Sequence, residues 1–125
     1  MTATTFAQAG YRRESQAVQT PRNTECDAFS RVTAQLHAAS GGKGGMAAMA
    51  RAIHDNRRLW YVLAADVADK ANRLSADLRA RIMYLAEFTD TYSSQVLSAG
   101  ASAQPLIEIN TAIIRGLRQQ RGLNS

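Results

Sequence analysis

Cys26, His37 and His54 are the cysteine and histidine side chains that could serve in nucleophilic catalysis or metal binding. Neither histidine forms an i, i+4 pair with another metal ligand, which a helical metal site would need. Cys26 has no second thiol for a disulfide or a zinc site, and its apolar neighbours at helical spacing favour a buried thiol. We therefore expect no catalytic residue, no metal and no cofactor, and a protein that is not an enzyme.

Four glycines surround Lys43 in the segment 41–45, which invites comparison with a phosphate-binding loop. That motif requires a preceding strand and a closing Gly-Lys-Ser/Thr, and the sequence has neither. Glycine gives the backbone freedom and offers nothing to bury. We interpret residues 41–45 as a flexible loop between two helices.

The segment Asn56-Arg57-Arg58-Leu59-Trp60 concentrates a seam asparagine, two arginines and the only tryptophan. Asn56 interrupts an apolar seam, so it should hydrogen-bond another helix or a loop, and Trp60 should anchor the core. Neighbouring residues on a helix point about 100° apart, so at least one arginine must be available to solvent or a partner. We assign Asn56 and Trp60 to structure and Arg57 and Arg58 to contact.

Helices must position these residues, because alanine is abundant and β-branched residues form no alternating runs. Thr20 can cap a helix that starts at Pro21, and Ser75 can cap another. The prediction is an all-α, single-domain bundle (1–125) of four helices, wound up-down-up-down, at 21–40, 46–70, 76–99 and 105–119. Residues 1–19 are predicted to form an N-terminal arm, and 120–125 a flexible tail.

Apolar residues at steps of three and four predict which face of each helix is buried. The core candidates are Cys26, Phe29, Val32, Leu36 and Ala39; Met46, Met49, Ile53, Trp60, Leu63 and Val67; Leu78, Ile82, Leu85, Thr89, Tyr92 and Val96; and Leu106, Ile109, Ile113 and Leu117.

The net charge of +5 comes mostly from arginine, with 15 basic and 10 acidic residues. Such a charge permits binding to nucleic acid, anionic lipid or an acidic protein. No signal peptide or membrane span is recognisable, so we expect a cytoplasmic protein with no membrane partner.

Several short elements, in a fixed order, resemble one known family. They are Tyr11; Thr20-Pro21-Arg22 with Glu25; Asn56 to Trp60; Asn72-Arg73-Leu74; Leu78-Arg79; Leu106 to Asn110; and Gly116-Leu117. This combination over nearly the whole chain resembles FlaF, a family of flagellar biosynthesis regulators of alphaproteobacteria. The family often has serine and proline where this chain has Thr20 and Ser75, which remain acceptable at helix starts. Within the match, Asn110, Gly116 and Leu117 are taken as structural, like Asn56 and Trp60.

The resemblance implies a protein needed for flagellin production or secretion, acting with the FlbT family and touching flagellin as a chaperone-like factor. We expect an apolar groove that receives an amphipathic flagellin helix. Residues surplus to the seams are its candidates, with Arg57 or Arg58 pairing with acidic side chains: Leu59, Tyr61, Met83, Phe88, Ile107 and Ile114.

Two other functions compete with flagellin binding. A regulator that contacts flagellin mRNA directly would use the arginines at 12, 13, 57, 58, 115, 118 and 121, although no RNA-binding module accompanies them. A purely structural adaptor between FlbT and flagellin is the third reading. The sequence leaves the oligomeric state open.

Overall fold

A computed structural model describes the backbone of residues 21–124 and the side chains of residues 26–119. Four helices account for most of it: α1 (Pro21–Ser40), α2 (Gly45–Ala68), α3 (Ala76–Ala99) and α4 (Gln104–Asn124). No strand occurs among the described residues. The predicted arm at 1–19 and the cap at Thr20 lie outside them. The all-α, four-helix prediction is confirmed.

The helix ends follow local backbone chemistry. The Ser75 hydroxyl accepts a hydrogen bond from the Leu78 amide at 3.2 Å, so α3 starts where its cap predicts. α2 ends at Ala68, two residues earlier than predicted, because Asp69 is already extended. α4 continues to Asn124, through most of the segment predicted as a tail, since the Arg and Gln residues after Leu117 favour helix.

The glycine loop makes one tight turn before α2. Gly44 has φ +79°, and a Cβ atom placed there would lie 2.7 Å from the Ala48 Cβ. Only glycine fits both the backbone conformation and the space. Helix α2 begins directly afterwards at Gly45, inside the segment predicted as loop.

The four helices form a bundle in which three of the four pairs of neighbouring helices pack along most of their length. α1 packs along both α2 and α4, and α2 packs along α3, whereas α3 and α4 touch over a much shorter length. The guanidinium of Arg79, near the start of α3, donates to the Val67 carbonyl at the end of α2, so these two helices are antiparallel. No described helix combines the length and apolar composition that a membrane crossing requires.

Two apolar clusters fill the interior. The first contains Cys26, Phe29, Trp60, Leu63, Val67, Leu74, Ile82, Ile113, Ile114 and Leu117, and the second Val32, Leu36, Ala39, Ala52, Ile53, Val96, Ala103, Leu106 and Ile107. Along α2, α3 and α4, a set of buried polar residues comes between the members of the two clusters. We call this set the polar layer: Asn56, Thr89, Ser93 and Asn110.

Most predicted seam positions are buried, and one is wrong. Met46 is 83% exposed, because the first turn of α2 lies at the end of the bundle beside the glycine loop. Met49, one turn later, is partly buried against the second cluster. The packed seam of α2 therefore starts later than its sequence pattern.

Candidate functional site

The Asn-Arg-Arg-Leu-Trp motif contributes two side chains to the interior. The Trp60 indole N–H donates to the Asn110 Oδ1 at 2.9 Å, and the Asn110 amide donates to the Asn56 Oδ1 at 2.8 Å. Phe29 meets the Trp60 ring edge-on, with centroids 5.4 Å apart. Asn56 thus bonds another helix, as its seam position predicts, and the hydrogen bonds tie α2 to α4 across the bundle.

Some side-chain atoms of the polar layer have no hydrogen-bond partner among the described residues. Three of its buried atoms make no hydrogen bond: Asn56 Nδ2, Thr89 Oγ1 and Ser93 Oγ. Each such group costs about 1–3 kcal/mol of desolvation. Thr89 and Ser93 both belong to α3, so this helix rests on the polar layer without hydrogen bonds from these two hydroxyls.

Arg57 links α2 to α3. One terminal nitrogen of its guanidinium donates to the Asp90 carbonyl oxygen at 2.6 Å and the Ser94 hydroxyl at 2.7 Å, and its Nε lies 3.3 Å from the Asp90 carboxylate. The Arg57 side chain is 24% exposed. Its donors are largely engaged inside the fold, which leaves Arg58, exposed on α2, as the available arginine of the pair.

Tyr61 completes this α2–α3 cluster. Its hydroxyl donates to the Asp90 carboxylate at 2.7 Å. That hydrogen bond, with smaller contributions from desolvation and the carboxylate charge, raises the pKa of Tyr61, against a lowering effect of Arg57. Asp90 therefore holds two side chains from the motif region of α2.

The predicted groove residues do not form one surface. Ile107 and Ile114 are 8% and 9% exposed and belong to the core, so their assignment to an open groove is wrong. The extra apolar width of α4 faces neighbouring helices. Leu59 is half-buried and packs against both clusters.

Tyr61, Met83 and Phe88 are exposed but lie on two sides of α3. Met83 is seven residues from Asp90, which faces Tyr61, so Met83 shares the α2 side of α3. Phe88 stacks on Tyr92, with centroids 5.5 Å apart, and the Tyr92 hydroxyl donates to the Ser102 carbonyl just before α4. Phe88 therefore belongs to the α4 side.

On the side of the bundle where α3 and α4 make only a short contact, both helices carry partly exposed apolar residues. At one end, a Cβ atom on Gly116 would lie 3.5 Å from Leu78, and at the other Tyr92 reaches Ser102. Helical periodicity places further residues of both helices between these contacts. We define the α3–α4 groove as Leu85, Phe88, Tyr92, Ile109, Ala112 and Gly116.

The groove residues are only partly covered by the fold. Phe88 is 38% exposed and Ala112 is exposed, whereas Leu85, Tyr92, Ile109 and Gly116 are half-buried. The sequence pattern had placed Leu85, Tyr92 and Ile109 in closed seams. Only the short α3–α4 contact shows that these seams meet an open side.

The C-terminal arginines lie elsewhere. Arg115 and Arg118 line a shallow, open hollow between α1 and α4, together with Ser30, Thr111, Ile114 and Gln119. Arg58 is on α2, on a different helix. Arg12, Arg13 and the side chain of Arg121 lie outside the described residues. Nor does any group of three His, Cys, Asp or Glu side chains, within the described part, have the geometry of a metal site.

Comparison with known proteins gives one match. The model of a family described as "Flagellar protein FlaF" matches residues 7–117. That range includes the motif at Asn56 to Trp60, the polar layer and the whole α3–α4 groove. Comparisons with curated proteins and with solved structures gave no significant match.

Proposed function

The chain belongs to the FlaF family of flagellar proteins, and on that premise we propose that it binds flagellin in the cytoplasm as a chaperone-like regulator, together with a FlbT-type partner. Flagellin termini are amphipathic helices that stay unpaired until the filament assembles. A protein that covers their apolar faces would keep them available for synthesis or export.

The observation that supports this proposal best is the apolar surface of α3. Four of its large apolar side chains are exposed: Met83 at 46%, Tyr84 at 68%, Phe88 at 38% and Leu97 at 40%. Aromatic residues and methionine are enriched in protein interfaces, and Tyr84 and Phe88 lie one helical turn apart on one side of α3. The partner is therefore expected to bring apolar surface of its own.

The arginines give weaker support to RNA as the partner. Arg57 is engaged with Asp90. Arg58 lies on α2, whereas Arg115 and Arg118 lie on α4, facing α1. Sequence-tolerant RNA binding combines a continuous basic surface with stacked aromatics. Direct mRNA binding is accordingly treated as an outcome of the test below.

The experiment is calorimetric titration of the purified chain with flagellin from the same genome, in parallel with flagellin mRNA. We expect saturable binding to flagellin that a Tyr84→Ser, Phe88→Ser double variant weakens at least about tenfold, equivalent to about 1.4 kcal/mol. Val62→Ser is the matched surface control, because Val62 is an exposed apolar residue of α2, outside the α3 surface.

Two results would overturn the proposal. One is the absence of flagellin binding by the wild-type chain. The other is binding to the message alone, with an affinity that falls steeply with salt, which is the signature of phosphate contacts. Co-elution of the chain, flagellin and the FlbT-type protein, when no pair co-elutes, would instead identify a structural adaptor.

A further inference from the structure

Resting on the proposed function, we propose that the α3–α4 groove is the docking site, and that its occupant is one amphipathic α-helix of the partner, about four turns long, with an acidic residue beside its apolar stripe. The groove lies on the side of the described bundle where two neighbouring helices have their shortest contact. A single added helix would complete the packing there.

The spacing of the groove residues fits a helix. On α3, Leu85, Phe88 and Tyr92 follow steps of three and four residues, and on α4 Ile109, Ala112 and Gly116 repeat the same steps. Two antiparallel rows with this spacing form ridges between which a third helix can insert its own ridge. Leu78 and Arg81 extend the α3 row by the same steps. From Leu78 to Tyr92 the extended row is about 21 Å long at 1.5 Å per residue, which matches an occupant of about 14 residues.

The two walls of the groove differ in a way that suits a closely packed helix. On the α4 wall, Ala112 is exposed and projects little, so it allows close approach of a helix backbone, whereas Gly116 is already approached by Leu78. The α3 wall is aromatic where Phe88 stacks on Tyr92, and Tyr84, one turn before Phe88, borders this wall. Aromatic rings supply large apolar area at low cost in side-chain entropy, as interface anchors do.

Charge adds a requirement on the occupant. Arg81 lies on the α3 row, four residues before Leu85. Its side chain is exposed and makes no hydrogen bond or ion pair with another described residue. At the other end, Glu108 lies one turn before Ala112 on α4 and touches only the Gln104 amide, at 3.4 Å. The occupant should therefore present an acidic side chain near Arg81 and a basic one near Glu108.

The polar layer lets α3 adjust to an occupant. Thr89 and Ser93, on the inner face of α3, make no side-chain hydrogen bonds with the described residues. A small outward shift of α3 would break none there. The tie to α2 through Arg57 and Asp90 lies on the opposite edge of α3 and can act as the pivot.

The first test places a bulky side chain in the groove, at the small residue Ala112 of α4. Ala112→Trp should weaken flagellin binding by at least about tenfold in calorimetry, which corresponds to about 1.4 kcal/mol. Ala38→Trp, on the exposed face of α1, is the matched control. Its affinity for flagellin should stay within about twofold of wild type, because a substitution far from the groove does not couple to it. Circular dichroism checks that each variant is folded.

A charge reversal gives a second measurement that does not add bulk. Arg81→Glu should weaken binding at low salt, by a factor that shrinks as salt rises, whereas Arg51→Glu, at an exposed position on α2, should not. If wild type binds flagellin and both Ala112→Trp and Arg81→Glu bind equally well, the groove is wrong while flagellin binding stands. If wild type binds no flagellin, the groove and the proposed function fall together.

Discussion

Asn110 makes two buried hydrogen bonds, and its removal should cost more than the removal of Asn56. Asn110→Ala leaves the Trp60 indole N–H and the Asn56 Oδ1 without partners. Asn56→Ala leaves only one N–H of Asn110 unpaired, and it also removes the Asn56 Nδ2, which is unpaired in the native fold. The two substitutions delete the same atoms from equally buried sites, so the cavity each creates is comparable.

The magnitude follows from the count of groups left unpaired. At about 1–3 kcal/mol for each buried group, Asn110→Ala should lower the free energy of unfolding by about 2–6 kcal/mol. Asn56→Ala orphans one group and relieves another, so its hydrogen-bond cost is close to zero and the cavity dominates. We expect Asn110→Ala to be more destabilising by at least about 2 kcal/mol.

Urea denaturation followed by far-ultraviolet circular dichroism measures both free energies, with Trp60 fluorescence as a second probe in the same samples. The double variant should be less destabilised than the sum of the single ones, because each single substitution breaks the same Asn110–Asn56 hydrogen bond. Equal destabilisation by the two single substitutions, or a larger effect of Asn56→Ala, would refute this account of the polar layer.

Three further predictions concern the connections between helices. Arg57→Ala should lower the free energy of unfolding by about 1–3 kcal/mol in chemical denaturation, since it removes charge-assisted bonds to Asp90 and Ser94, and Arg57→Lys should not restore it, because an ammonium cannot reproduce the fork. Gly100, with φ +69°, ends α3, so Gly100→Ala should cost about 1 kcal/mol in the same assay, whereas Gly41→Ala, which has no positive φ, should change stability by less. Tyr61 has a raised pKa, so folding favours its neutral form. The difference in free energy of unfolding between wild type and Tyr61→Phe should therefore be constant below pH 10 and disappear as pH rises through the folded pKa. Asp90→Asn should lower the pKa of Tyr61 in an absorbance titration of the phenol.

The helices were predictable because their ends are encoded locally. Ser75 caps α3 through its own hydroxyl, and Gly100 ends it with a left-handed residue, so both bounds of α3 agree with the sequence. The end of α2 was misplaced by two residues, because nothing in the local sequence marks Asp69 as extended. Core positions in the middle of each helix follow from the 3.6-residue period, but Met46 does not, since a period says nothing about where the neighbouring helices begin.

The surface was harder to predict, because a helical wheel gives the direction of a side chain and not what it meets. Ile107 and Ile114 widen the apolar stripe of α4, and only the packing of α1 beside α4 shows that this width is covered. Leu85 and Ile109 have the pattern of core residues, yet they border the open side. Which pair of neighbouring helices fails to close depends on the whole bundle, which no single helix encodes.

The same limit explains why the Asn-Arg-Arg-Leu-Trp motif was only partly interpretable. Its order suggested structural roles for Asn56 and Trp60 and contact for both arginines, but the partner of Arg57 is Asp90, 33 residues away on α3. Asn56, Arg57 and Trp60 each bind a different helix from their own, and Leu59 packs between the two clusters. The motif therefore specifies the arrangement of the helices, because most of its members join α2 to α3 or α4. In the proposed binding its contribution is then indirect, because it holds α2, α3 and α4 in the arrangement that places the α3–α4 groove on the surface.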